Sequence, residues 1–246
     1  MSIAVTILNN FWKKETPVPP TLLFKLLGED RGAPGGTPFS ASFGGVIVCT
    51  GSMNYYTAPT LNNRFVVVCN DGQENMQMVD SPSDIKQNYA IFSVSRWVQT
   101  VATGLVLDFR DGTNYKLILP AGNTNTSRNG WYYGQTSGSA DLSDIVGENT
   151  KAFKIRCWLF EDNSARLYLG GGTAVKSGSF EDTDLSTTRK IGFTPTTNCD
   201  VEIGTIQIYG LPLNTKFTAG SLNTIGREIE TYYGSVASAS WTDIIV

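Results

Sequence analysis

The sequence predicts an all-β protein, built as an antiparallel β-sandwich or jelly roll. Short apolar runs rich in β-branched residues recur along the chain, and Gly, Asn and Asp form turns between them. Several of these runs alternate apolar and polar residues on both sides of a turn, which is typical of hairpins. Short strands at such close spacing do not form βαβ units, so we expect about twelve antiparallel strands in two layers.

Residues 1–38 are predicted to be an N-terminal anchoring arm and linker. The stretch PVPP at 17–20 favours an extended polyproline conformation, and a Gly- and Pro-rich loop, GEDRGAPGGTP, follows it. On this interpretation the sandwich spans residues 39–212. Residues 213–246 then form a C-terminal extension that packs on or beside the sandwich.

Two apolar runs, VIVC at 46–49 and FVVVC at 65–69, are predicted to be buried strands. The clearest hairpin joins 105–109 to 115–119 through Asp111-Gly112. A second hairpin joins 153–159 to 165–169 through an acidic, exposed turn.

Near the end of the predicted sandwich the alternation slips by one residue. Val201 and Ile203 share one parity, whereas Ile206 and Ile208 share the other. An extra residue in a strand produces this pattern, so we expect a β-bulge at Gly204.

One stretch, SLNTIGREIETYYG, has helical spacing. Ile225 and Ile229 lie one turn apart, Ser221 is the predicted N-cap, and Gly234 is the predicted end of the helix. Gly226 weakens the prediction because glycine is a poor helix former.

The absence of histidine limits the chemistry open to this protein. It removes Ser-His-Asp and Cys-His catalysis and every His-ligated metal site. Carboxylate pairs, lysine chemistry, oxygen-ligated Ca²⁺ or Mg²⁺, and plain binding remain. We therefore expect a protein that is not an enzyme.

The charge balance argues against nucleic acid and membrane partners. Charged residues make up 17% of the chain, and the formal net charge is -3, so there is no basic excess for phosphates or an anionic bilayer. No apolar stretch is long enough for a transmembrane helix. The N-terminus also lacks the features of a Sec signal peptide, which predicts a protein made in a cytosol.

The four cysteines are too far apart for a CxxC metal or redox motif. Most of them stand in apolar or alternating runs, where a free thiol behaves as a small buried hydrophobe. Buried thiols are the favoured interpretation, and disulfides remain the alternative because the number is even. The residues are Cys49, Cys69, Cys157 and Cys199.

Residues 92–210 resemble the concanavalin A-like and laminin G-like jelly-roll superfamily. The resemblance is carried by FSVSRWVQTVATGLVLDFRDGTNYKLIL, KAFKIRCWLFEDNSARLYLGGG and FEDTDLSTTRKIGFTPTTNCDVEIGTIQIYG. The matching positions are Tyr115, Leu117, Ile155, Trp158, 167–170, 191–193 and 201–209. The pattern is one of strands, so it implies a fold more strongly than an activity.

The superfamily includes lectins, family 16 glucanases and phage virion modules. The Glu-x-Asp-x-x-Glu strand of the glucanases is absent from this chain. A hydrolase would then use Glu181 and Asp184, which are better explained as solvated turn carboxylates. The triple glycine at 170–172 matches no phosphate-binding motif and is explained by a hairpin turn.

No cofactor is predicted. Lectin and laminin G-like members often hold Ca²⁺ through loop carboxylates, but no spacing here selects a ligand set, so the sequence does not support a Ca²⁺ site. The acidic residues available are Asp71, Asp80, Asp84, Asp108, Asp111, Asp141 and Asp144.

Asn129, Trp131, Tyr132 and Tyr133 are the predicted ligand-binding residues. Aromatic rings cover the apolar faces of sugars, and short polar side chains bind the hydroxyl groups. The simpler interpretation is that these aromatics are good strand formers that cover the sheet. Similar doublets with less context stand at Tyr55-Tyr56 and Tyr232-Tyr233.

The favoured hypothesis is a noncatalytic virion structural, decoration or fibre protein of a phage. Its arm would bind other virion proteins, and its jelly roll would adhere weakly to host glycans. A soluble carbohydrate-binding lectin is the alternative, and a glycoside hydrolase is the third hypothesis. The oligomeric state is left open, with a homo-oligomer among the alternatives.

Overall fold

The computed structural model describes residues 18–30, 39–41, 46–50, 54–69, 75–78, 88–98, 104–111, 114–122, 132–136, 152–179, 189–193, 201–212, 214–234 and 240–245. Their strands are β1 (Thr21–Leu27), β2 (Phe39–Ser40), β3 (Val46–Thr50), β4 (Asn54–Ala58), β5 (Arg64–Cys69), β6 (Asn75–Met78), β7 (Tyr89–Trp97), β8 (Gly104–Asp111), β9 (Asn114–Gly122), β10 (Tyr132–Thr136), β11 (Lys154–Glu161), β12 (Ser164–Leu169), β13 (Lys176–Ser179), β14 (Arg189–Phe193) and β15 (Val201–Gly210). One α-helix, α1 (Ala219–Tyr233), follows them in this part of the chain.

The strands form two antiparallel sheets, which confirms the predicted sandwich. Sheet A has the order β13-β12-β11-β7-β15-β5-β4, with β1 also paired to β15, and sheet B has the order β10-β9-β8-β14-β6-β3-β2. Both predicted hairpins are present, as β8–β9 and β11–β12. The β11–β12 turn is closed by Asp162 and Asn163, both with positive φ, and Asn and Asp tolerate that conformation.

The central strands of sheet A, β11, β7 and β15, are buried on both faces. Trp158 and Phe160 of β11 belong to the core cluster that contains Val106 and Leu107 of sheet B. The neighbours of these two residues on β11 point to the opposite face of the sheet. There they pack in a second cluster with α1 and with residues 240–245. We call residues 240–245 the C-terminal segment. The extension therefore gives sheet A a second hydrophobic layer.

The prediction that residues 1–38 form a separate arm and linker is wrong for β1. This strand pairs with β15 along Thr21–Leu27, and Phe24 and Leu26 are fully buried in the core between the sheets. The sequence TLLFKLL alternates as a half-buried strand does, so its apolar residues gain more by burial in the sandwich than in an exposed arm. Residues 1–17 and 31–38 lie outside the described residues.

The β-bulge at Gly204 is confirmed. The register of β15 against β7 shifts between Ile203 and Thr205. The carbonyl of Gly204 accepts hydrogen bonds from the Tyr233 hydroxyl at 2.6 Å and from the Gly28 amide at 2.8 Å. The bulge thus joins β1, β15 and the end of α1.

The helix has a different N-cap from the predicted Ser221. Thr218 caps it, and its hydroxyl oxygen accepts a hydrogen bond from the Ser221 amide at 3.1 Å. Ser221 is third in the helix, where its amide needs such an acceptor. Gly234, with φ of 82°, is the C-cap, as predicted.

Only glycine fits at position 226 of the helix because the Trp241 ring packs directly against it. A Cβ at Gly226 would lie 2.2 Å from Cε2 of the Trp241 ring. The C-terminal segment is also held by the triple glycine: Thr242 donates its amide to Gly170 at 2.7 Å and accepts from Gly172 at 2.9 Å. All three glycines have positive φ, so this turn is also a docking site for the C-terminal segment.

Cys69 and Cys157 are buried and form no disulfide, as predicted. Burial raises the pKa of the Cys157 thiol well above its ordinary value. A raised pKa disfavours the thiolate, which is the reactive form. The Cys49 side chain and Cys199 lie outside the described residues.

Glu161 is expected to make stability fall as pH rises. Burial raises its pKa above 4.5, and the hydrogen bond from the Phe217 amide opposes this shift. Since the folded state favours the protonated acid, its contribution is fully present below pH 4.5 and is lost as pH rises through the folded pKa. Urea unfolding between about pH 4 and pH 7 should therefore show wild type losing stability relative to Glu161→Gln. Parallel pH profiles for the two proteins would contradict this assignment.

Candidate functional site

The predicted aromatic site is described only in part. Tyr132 and Tyr133 lie on β10, at one end of the strand order of sheet B, where they pair with Ile118 and Leu117 of β9. Asn129 and Trp131 lie outside the described residues. The site stays a prediction.

The predicted acidic residues are not brought together in the described part of the chain. Glu181 and Asp184 lie outside it, as do Asp71, Asp80, Asp84, Asp141 and Asp144. Asp108 and Asp111 are placed on β8 by the backbone alone. Among the described residues, no group of three or more His, Cys, Asp or Glu side chains is arranged to hold a metal ion.

α1 has only 15 residues and is too short to cross a membrane. The described residues contain no other helix that is long and apolar enough to do so.

One cluster of charged and polar side chains lies on the face of sheet A that points away from sheet B, and it serves to hold strands together. Arg96 donates to Glu202 at 2.6 Å and to the Tyr56 hydroxyl at 3.0 Å, and Tyr56 donates to Glu202. The guanidinium also lies over the Phe153 ring, 4.6 Å from its centroid. Burial, and then the neighbouring Glu202, raise the pKa of Tyr56. These groups bind one another and so tie β4, β15 and β7 together.

An open groove runs along the exposed side of α1, with a volume of about 790 Å³; we call it the helix groove. The helix supplies five of its polar residues and Tyr232, the start of β5 supplies Arg64, and the C-terminal segment supplies Asp243. The helix residues lie three or four apart, or next to one another, along one side of α1: Asn223, Thr224, Arg227, Glu228 and Thr231. At 1.5 Å per residue, the stretch from 223 to 232 is about 13 Å long.

Local backbone features position the two walls of the groove. Asn62 and Asn63, both with positive φ, turn the chain from β4 into β5 and so place Arg64 beside the last turn of α1. The triple glycine holds the C-terminal segment against the helix, which places Asp243 beside Arg227. Asn223 anchors the same segment by accepting from the Ile244 amide at 2.7 Å.

At one end of the groove Arg64 stacks on Tyr232. The guanidinium carbon lies 4.0 Å from the ring centroid, and Nε donates to the Tyr232 carbonyl at 3.2 Å. The Tyr232 hydroxyl donates to Glu29 at 2.8 Å. Burial, followed by this hydrogen bond, raises the pKa of Tyr232 to about 12, so the phenol remains a donor at neutral pH.

Further along the groove Arg227 is paired with acids. It donates to Glu230 at 2.8 Å and to Asp243 at 3.2 Å. The Thr224 and Thr231 hydroxyls donate to helix carbonyls, at 3.0 Å and 2.8 Å, and keep lone pairs that can accept. Exposed carboxylates, guanidinium groups and hydroxyls thus share one groove with an aromatic ring.

The sequence matches no protein-family model, and no curated protein matches it significantly. Solved structures match it in shape. The binding domain of botulinum neurotoxin DC in complex with SialylT superposes with a TM-score of 0.60 over 85% of this chain, at 8% identity. A Trypanosoma rangeli sialidase reaches 0.60 over 88% of this chain, at 14% identity. Domain 4 of AbnA, a GH43 extracellular arabinanase from Geobacillus stearothermophilus, in complex with arabinotriose, reaches 0.50 over 78%, at 16% identity.

The chain shares its antiparallel jelly-roll fold with these structures. At these identities the likeness concerns the fold alone. The match spans 51% of the neurotoxin binding domain, 36% of the sialidase and 94% of the arabinanase domain.

Sequence reasoning did not find the helix groove. In the sequence the Tyr232-Tyr233 doublet has no assigned role, and in the structure the two rings lie edge to face, with centroids 5.0 Å apart. Tyr233 is buried, whereas Tyr232 lines the groove. The available signal was the polar spacing of Asn223, Arg227 and Thr231, four residues apart on one side of the predicted helix.

Proposed function

We propose that this protein is a noncatalytic carbohydrate-binding domain that holds a short glycan in the helix groove. The observation that carries the proposal is the mixture of groups in the groove. Sugar hydroxyls both donate and accept hydrogen bonds, and the groove offers guanidinium donors beside carboxylate acceptors, Glu228 and Asp243. The stacked pair of Arg64 and Tyr232 adds a flat surface against which a sugar ring can lie.

The structural neighbours support the same class of ligand. The arabinanase domain is described in complex with arabinotriose, and the neurotoxin binding domain in complex with SialylT. These ligands belong to those proteins. They favour the carbohydrate-binding interpretation over the virion interpretation as the main proposal for this chain.

The proposal includes the absence of catalysis. Hydrolysis of glycosides needs two carboxyl groups placed on either side of the bond that is cleaved. In the helix groove Asp243 is engaged by Arg227, and Glu228 is exposed on the helix. Solvated carboxylates of this kind suit hydrogen bonding to hydroxyl groups rather than acid catalysis.

Tyr232→Ala is expected to weaken glycan binding at least tenfold, a loss of about 1.4 kcal/mol. The substitution removes the ring and the surface on which Arg64 is seated. A glycan array, followed by calorimetry on the strongest ligand, measures the effect. Trp131→Ala is the matched control for the predicted β10 site and should bind as wild type does.

A second variant guards against loss of folding in Tyr232→Ala. Thr224 is exposed, and Thr224→Gln narrows the groove without touching the core. The Thr224→Gln protein should also bind glycan more weakly, and its melting temperature should equal that of wild type. Wild-type binding by both groove variants, together with loss in Trp131→Ala, would move the site to β10.

The placement of the protein on a phage particle stays a prediction from the sequence. Deletion of residues 1–38 would not test the arm alone, because it also removes β1 from sheet A. Deletion of residues 1–17 leaves β1 in place and is the appropriate variant. Loss of assembly onto the particle by this variant would support the arm.

A further inference from the structure

Arg64 differs from the other arginine of the helix groove in its charge balance. Arg227 is engaged by two carboxylates, Glu230 and Asp243. Arg64 forms no ion pair with any of the residues that the structure describes, and its side chain contacts the Tyr232 carbonyl and ring among them. One end of the groove therefore carries a guanidinium that forms no ion pair with a described carboxylate, and Glu29 nearby is bound to the Tyr232 hydroxyl instead.

The Arg64 guanidinium is also held in one orientation. Nε is engaged by the Tyr232 carbonyl at 3.2 Å, and the plane rests on the ring at 4.0 Å. The Tyr232 ring is in turn fixed by its hydrogen bond to Glu29 and by the edge of Tyr233. The aromatic ring and the hydrogen bond already restrict the rotamers of Arg64. Less side-chain entropy is therefore lost when a ligand binds to it.

The two terminal nitrogens of Arg64 make no hydrogen bond within the described residues. Arg64 lies in the lining of the groove and is only half-buried. A guanidinium edge presents parallel N–H groups that match the two oxygens of a carboxylate, and such pairs are stronger than hydrogen bonds between neutral groups. A neutral hydroxyl would use one of these donors and leave the charge uncompensated.

We propose that the glycan bound in the helix groove is an acidic saccharide, and that Arg64 binds its carboxylate. This inference rests on the proposed function and names the class of ligand. The carboxylate lies at the Tyr232 end of the groove, and the remaining hydroxyl groups extend along α1 toward Glu228 and Asp243.

The test is an array in which each carboxylated oligosaccharide is printed beside the same oligosaccharide after reduction of its carboxyl groups to alcohols. The wild-type protein should prefer the acidic member of a pair by at least tenfold, and added salt should weaken this preference. In Arg64→Gln the acidic member should bind only as well as its reduced partner. Lys216→Gln, which removes an exposed positive charge outside the groove lining, is the control and should keep the preference.

Arg64→Lys separates the geometry of the guanidinium from its charge. It keeps the positive charge but loses the paired donors, so its preference should fall between wild type and Arg64→Gln. Thermal melts of each variant show that the domain is folded. Equal wild-type binding to both members, or a preference that survives Arg64→Gln in a folded protein, would overturn the inference and leave the proposed function standing. Binding to no glycan on the array would overturn the proposed function itself.

Discussion

Deletion of residues 1–30 is expected to unfold the domain, because it removes β1 from sheet A. Phe24 and Leu26 are fully buried in the core between the sheets, and the strand pairs with β15 along its length. Replacing a buried Phe by Ala alone costs about 3–5 kcal/mol, and domains are typically stable by only about 5–15 kcal/mol. Circular dichroism and urea unfolding should show loss of the cooperative transition in the deletion and a large drop in stability in Phe24→Ala.

Two controls test whether the loss of stability comes from β1 itself or from other residues of the N-terminal region. Thr21→Ala changes an exposed position on the same strand and should leave stability within about 0.5 kcal/mol of wild type. Deletion of residues 1–17 keeps β1 and should leave the transition cooperative. A protein lacking residues 1–30 that melts like the full chain would show that β1 is dispensable.

Gly226→Ala is expected to destabilise the protein by about 3 kcal/mol, although alanine is the better helix former. The added Cβ would meet the Trp241 ring at 2.2 Å, so the indole must leave its position against α1. The result would be loss of much of the packing that holds the C-terminal segment. Chemical unfolding measures the effect.

Gly220→Ala is the matched control for this substitution. It lies on the same helix, and its added Cβ would meet Thr218 at an ordinary 3.8 Å. It should be neutral or stabilise by up to about 1 kcal/mol. In Trp241→Ala, the Gly226→Ala substitution should lose most of its cost, because the two residues are in contact. Equal costs in both backgrounds would contradict the packing account.

The local features of the fold could be predicted because they depend on neighbours in sequence. The β8–β9 and β11–β12 hairpins follow from alternation around Asp- and Asn-containing turns, and the bulge at Gly204 follows from a slip in parity. β1 was misassigned because TLLFKLL stands between Pro- and Gly-rich stretches that are typical of linkers. Its partner, β15, lies about 180 residues further along the chain, as the Thr205–Leu26 hydrogen bond shows.

The sequence predicts an extension that packs on or beside the sandwich, but not the contacts that hold this second layer on sheet A. Gly226 weakens the helix when it is considered alone, and only the position of Trp241 explains it. In the sequence a turn is enough to explain the triple glycine. Nothing there indicates that these residues also bind the C-terminal segment. Both features depend on contacts between parts of the chain that are distant in sequence.

The candidate site could not be predicted for the same reason. Arg64 and Tyr232 are 168 residues apart, and neither belongs to a motif. They meet because the Asn62-Asn63 turn and the last turn of α1 lie side by side. The sequence favoured Trp131 and its neighbours instead, since consecutive aromatics are visible without any tertiary structure.

The helix groove depends on the C-terminal segment as well as on α1. Asp243 forms part of its lining, and the segment is anchored through Asn223 and the triple glycine. Substitutions that release the segment, such as Gly226→Ala, should therefore reduce glycan binding together with stability. This links the second layer of sheet A to the proposed function.

Amide chemical-shift mapping during titration with the strongest glycan from the array tests the central claim most directly. We predict that the shifts concentrate on residues 223–232 and on the start of β5, and that the spectrum of the sugar shows no new anomeric signals over a day. Shifts confined to β10, or the appearance of cleaved sugar, would contradict the account of a noncatalytic glycan-binding groove on α1.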